Sequence, residues 1–128
     1  MTNLDMTSLQ NVFTAFDGTA VTIKYDLNSS ADVVIQNLYI GYTEIDLGKD
    51  QDPEDRNHFV SGSEGYSAVY REQGLRVSVL AVGMMGGFWE LKISVKGPGD
   101  DDFKNLKANP IKCSTDLKGH LDTNKFVK

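Results

Sequence analysis

The sequence predicts an all-β fold, an antiparallel β-sandwich of about seven or eight short strands. Three observations carry this. Apolar and polar residues alternate at period two nearly wherever the chain is apolar. Glycine-rich or polar turn signals separate these runs at short spacing. No long amphipathic helical period is present, and a parallel sheet would need such helices as crossovers.

Taken in order, a weak strand over 11–16 is joined to the next by Asp17-Gly18. In 21–27, Val21, Ile23, Tyr25 and Leu27 alternate with Thr22, Lys24 and Asp26, which predicts a strand with one wet face. The stretch 33–42 is rich in β-branched and aromatic residues in both phases, so it is expected to be covered on both faces. Short strands are expected at 43–47 and 58–61. A strand over 66–72 turns at Gln73-Gly74 into 75–82. That strand and 88–95 flank the five-residue Gly83-Met84-Met85-Gly86-Gly87, whose length and glycine content predict a hairpin. At most one short helix is expected, over 101–108, with Asp102 as N-cap and Asn109-Pro110 as the stop. Residues 114–128 read as a loosely packed tail or one edge strand around 121–127, with 19–27 as the second candidate edge.

The length of 128 residues makes residues 1–128 a single domain. Folding at that size buries about two-thirds of the unfolded surface, enough for a core without staples. Cys113 is the lone cysteine, so no intrachain disulfide forms. Residues 1–10 lack a basic segment followed by an apolar run, and no stretch is long and apolar enough to span a bilayer. These features predict a cytoplasmic protein, or one exported without a classical signal peptide.

The formal net charge is −5. Residues 44–55 hold six acids and one base, so the whole excess belongs to that stretch. Such a balance disfavours nucleic acid, whose phosphates need a basic face. Asp100, Asp101 and Asp102 form a second acidic cluster, and residues 103–128 carry six lysines against Asp116 and Asp122. Counting strand reversals puts the two acidic clusters at one pole and Gly83 to Gly87 at the other.

Each pole offers a function. Asp50, Asp52, Asp55, Asp100, Asp101 and Asp102 supply the oxygen ligands that calcium needs, which makes calcium the candidate cofactor. The same acids also read as a solvated loop that keeps the protein soluble. The stretch 50–55 lacks the glycine and terminal glutamate of an EF-hand loop. Met84 and Met85 read either as a tip that enters a partner pocket or membrane interface, or as a plug folded back over the core. Tyr39, Tyr42, Tyr66 and Tyr70, with Trp89, provide aromatic faces on which sugars stack, or serve as half-buried sheet residues.

Catalytic signals are sparse. Ser61-Gly62-Ser63-Glu64-Gly65 does not satisfy Gly-x-Ser-x-Gly. His58 and His120 lack metal-binding spacing, although His58 lies among Asp55, Arg56 and Asn57, as a hydrolase base would. The general plan, a small acidic sandwich without signal or disulfide, is similar to those of calcium-dependent lipid-binding modules, sugar-binding lectins and compact cytolysins. The expectation is therefore a non-enzymatic binding module, monomeric or homodimeric, that recognises sugar, lipid head group or protein through its polar loops. An acidic interaction or inhibitor protein with a basic partner is the alternative, and a small hydrolase using His58 the second.

Overall fold

A computed structural model describes residues 18–114 and 119–128, and the strand expected over 11–16 lies outside them. These residues form β1 (Thr19–Ser29), β2 (Val34–Ile40), β3 (Thr43–Glu44), α1 (Leu47–Asp50), β4 (Gln51–Asp52), β5 (Asp55–Val60) and β6 (Tyr66–Arg71). They continue as β7 (Gly74–Gly83), β8 (Phe88–Lys96), β9 (Lys104–Asn105), β10 (Ile111–Ser114), β11 (Gly119–His120) and β12 (Thr123–Val127). Every pairing is antiparallel, and the main path runs β10-β8-β1-β6-β7-β2-β3. The all-β class is thereby established. The path is open at both ends, and among the described residues all the strands belong to one sheet.

β1 is central rather than an edge. One side pairs with β8 from Thr22 to Ser29, and the other is shared by β6 over Thr19–Ile23 and β5 over Asp26–Asn28. Its period-two pattern is observed, with Val21, Ile23, Tyr25 and Leu27 buried. β7 buries Leu75, Val77, Val79 and Ala81 in the same way, and β8 buries Trp89, Leu91 and Ile93. All these residues belong to one core, in which each fully buried large apolar side chain is worth about 1.5–3 kcal/mol.

Local reading and fold differ at four places. A register shift between Ile35 and Asn37 marks a bulge in β2, so the two apolar phases of 33–42 turn to the same core in succession. Val33 is buried before the bulge, Leu38 and Ile40 after it, while Val34 and Tyr39 are exposed. Glycines suited to a hairpin do not make one between β7 and β8. β7 pairs with β2, β6, β11 and β12, whereas β8 pairs with β1, β9 and β10, so the loop crosses between strands of different neighbourhoods. The short helix is α1, capped by the Asp46 carboxylate on the Lys49 N–H, and 101–108 contains β9 instead. There the Asn109 side chain donates to the Ile93 carbonyl at 2.8 Å and accepts from its N–H at 3.0 Å, so a side chain continues the edge of β8.

The fourth difference concerns the poles. The chain reverses at Gly41-Tyr42 between β2 and β3, which the sequence reading ran together as neighbouring strands in one direction. β4 and β5 then turn at the end of β1 marked by Asn28, which lies opposite His58. Residues 97–102 follow Lys96, which lies opposite Thr22 near the other end. The acidic clusters are at opposite poles. No helix among the described residues is long and apolar enough to cross a membrane.

Candidate functional site

Tyr39 and Tyr42 converge on the outer surface of β2 and β7. The bulge sets Tyr39 outward, opposite Ser78 in the ladder. Tyr42 follows Gly41, and both have positive φ, 56° for Gly41 and 67° for Tyr42. Glycine is required at 41 for space as well, since a Cβ there would lie 2.7 Å from Ala68 Cβ and 2.9 Å from the Val69 nitrogen. The turn is pinned on both sides: Gly41 N–H donates to the Arg76 carbonyl at 2.7 Å, and its carbonyl accepts from Val69 N–H at 3.1 Å.

Around this turn lies a cavity of about 350 Å³ lined by Tyr39, Tyr42, Arg76 and Ser78. Tyr39 is 37% and Tyr42 45% exposed, so both rings are available to a ligand. The Arg76 guanidinium sits 5.3 Å from the Tyr42 ring centroid and donates through Nε to Asn124 Oδ1 at 3.1 Å. Arg71 Nη1 donates to the Tyr42 hydroxyl at 3.0 Å. Arg71, and secondarily Arg76, hold that hydroxyl below the usual tyrosine range because they favour the phenolate. The result is two aromatic faces with a cationic, hydrogen-bonding rim.

Trp89 is not part of this surface. It is fully buried, and its indole N–H donates to the Leu121 carbonyl at 2.7 Å. Tyr70 is half-buried against the core, and so is Tyr66. Met84 and Met85 are 54% and 68% exposed, which excludes the plug. They project at a turn closed by Gly87 N–H on the Met84 carbonyl, with Phe88, itself exposed, beginning β8.

The six aspartates do not assemble. Among the described residues no group of three or more His, Cys, Asp or Glu side chains is arranged to hold a metal ion. Asp50 is buried, and its Oδ2 accepts from the Tyr25 hydroxyl at 2.8 Å and the Tyr66 hydroxyl at 2.6 Å. Burial first, then this carboxylate, pushes the Tyr66 hydroxyl up to about 12 and raises Tyr25 further. Asp52 accepts from Glu54 N–H, Asp55 from Asn57 N–H and Asp100 from Gly97 N–H, so each of these closes its own turn. Asp101 and Asp102 are exposed.

His58 is held between two carboxylates. Nε2 lies 2.9 Å from Asp26 Oδ1, and Nδ1 lies 3.1 Å from Asp52 Oδ2. Asp52 foremost, and Asp26, raise its pKa against the opposing effect of burial. Both ring nitrogens are engaged by carboxylates.

Sequence reasoning missed Arg71 and Arg76. Their outward phase is legible beside Ala68 and Val77, but their approach to Tyr42 depends on the β2–β7 register. Comparison with protein-family models, with curated proteins and with solved structures finds no match for this chain.

Proposed function

We propose that the protein is a non-enzymatic binding module that takes a carbohydrate in the cleft of Tyr39, Tyr42, Arg76 and Ser78. The carrying observation is the pair of exposed tyrosine rings around a cavity of about 350 Å³ with a guanidinium and a hydroxyl at its rim. Sugars present an apolar face of C–H groups that stacks on an aromatic ring, and hydroxyls that accept from Arg and exchange hydrogen bonds with Ser. The Gly41-Tyr42 turn is fixed to β6 and β7, so little order has to be gained on binding. Acceptors for the guanidinium make uronic or sialic acid sugars the favoured class, through a bidentate carboxylate contact.

A glycan array probed with and without calcium tests this reading. Expected is calcium-independent binding of acidic glycans that falls at least about tenfold in Tyr42→Ala and in Arg76→Gln, the loss typical of a charge-assisted contact. Equal binding by these variants and the parent protein, or no glycan bound at all, sinks it. A second reading rests on the exposed Met84, Met85 and Phe88, which suit an adaptable contact with an apolar protein surface.

A further inference from the structure

We infer that the outer face of β1 and β8 carries a second site, independent of the tyrosine cleft, that binds a phosphate monoester between Lys24 and Lys92. Antiparallel register places Lys24 opposite Ser94, Asp26 opposite Lys92 and Thr22 opposite Lys96, all on the face turned away from the core. A cavity of about 200 Å³ opens there, and its lining includes Lys24, Ser61, Lys92, Ser94 and Asn105. Two ammonium groups, the Ser94 hydroxyl and the Asn105 amide are donors of the kind a tetrahedral oxyanion takes, while the Ser61 hydroxyl is engaged with the Tyr25 backbone, accepting from its N–H at 3.0 Å and donating to its carbonyl at 3.5 Å.

The carboxylates that ought to neutralise these lysines are used elsewhere. Asp26 also lines the cavity and lies directly across from Lys92, a position that normally yields an ion pair. Its Oδ1 is instead taken by His58 at 2.9 Å and by the Asn28 amide at 2.9 Å. Glu90 is paired with Lys112 at 3.8 Å. Among the described residues Lys24, Lys92 and Lys96 therefore have no carboxylate partner within ion-pair distance.

Like charges are moreover held together. The Lys24 and Lys96 ammonium groups lie 4.4 Å and 5.3 Å from the centroid of one ring, Phe103, and so within about one Debye length of each other. A phosphate dianion seated between Lys24 and Lys92 would meet both ammonium groups.

Calorimetric titration of the full chain with inositol trisphosphate, inorganic phosphate and sulfate tests the site. Parallel sedimentation uses phosphatidylcholine vesicles containing either phosphatidylinositol bisphosphate or phosphatidylserine. Expected is saturable binding of inositol trisphosphate that inorganic phosphate competes away at millimolar concentration. It should weaken roughly tenfold or more in Lys24→Gln/Lys92→Gln at unchanged melting temperature, and measurably in the milder Ser94→Ala. Co-sedimentation with the bisphosphate vesicles assigns the phosphate to a lipid head group, and binding of the soluble ester alone assigns it to a free metabolite. No binding of either, equal binding by the double variant, or equal sedimentation with phosphatidylserine vesicles overturns the proposal.

Discussion

A histidine flanked by two carboxylates ties the charge state of one residue to the joining of three strands. His58 on β5 reaches Asp26 on β1 and Asp52 on β4, and its proton is shared favourably with both. Its folded-state pKa is raised above the ordinary 6.5, so its contribution to stability is complete below that pH and is lost as pH rises through the raised value. Asp52 is shifted the other way, first by the Glu54 N–H and then by His58, so its contribution is present above the ordinary 3.8 and lost as pH falls through the lowered value. The contact is therefore strongest between these limits. The difference in melting temperature between the parent protein and His58→Gln should be greatest near pH 5.5 to 6 and shrink by a few degrees towards about pH 9. A difference that stays constant over that range refutes the coupling. Half of this arrangement was legible, because Asp52 lies six positions from His58 in the acidic stretch. Asp26 lies thirty-two positions away, and only the β1–β5 register brings it within reach.

Elements show the same division between local and long-range causes. Alternation predicted the inward residues of β1, β7 and β8, because which face is apolar is a property of the strand itself. What each strand pairs with is not. The glycine loop between β7 and β8 carries the signature of a hairpin, yet β7 pairs with β2 and β12, and β8 with β1 and β10. The loop thus becomes a crossing, and Met84 and Met85 are left standing in solvent at its tip. Replacing both, as in Met84→Ser/Met85→Ser, should change unfolding free energy in urea by less than about 0.5 kcal/mol, as surface substitutions do. A loss of several kcal/mol would mean that the tip is packed after all. At the other turn, Gly41-Tyr42, sequence marked neither the reversal nor its positive φ values, because the strands expected over 33–42 and 43–47 read as running in one direction with no turn between them.

At the scale of the molecule, the C-terminus closes the fold instead of trailing from it. β12 pairs with β7 from Val79 to Leu75, Leu121 is buried, and the Lys128 carbonyl accepts from Ala108 N–H at 2.9 Å. The Val127 carbonyl also packs against Gly74, where a Cβ would lie 2.3 Å from its oxygen and where φ is 120°. Deleting 121–128 removes Leu121 and Val127 from the core, each worth about 2–5 kcal/mol where a cavity remains. Against a total of about 5–15 kcal/mol, the truncated chain should lose its cooperative thermal transition and near-ultraviolet circular dichroism. Retention of both would show that β12 is dispensable. Charge follows the same pattern. Among the described residues no ion pair joins the lysine-rich C-terminal region to residues 44–55.

Sequence alone determined that this chain is antiparallel and all-β, which residues of its long strands face the core, and that Tyr39, Met84 and Met85 merited attention. These follow from the two-residue period of a strand and the cost of burying polar groups, both of which act within a few positions. Tertiary structure decided the rest: that Trp89 is core, that the acidic clusters lie at opposite ends, and that Tyr42 meets Arg71 and Arg76. It also decided that Lys24 and Lys92 are left without their expected carboxylate. Each of these depends on register between strands distant in sequence, which is chosen by the sum of packing over the whole core and has no local signal.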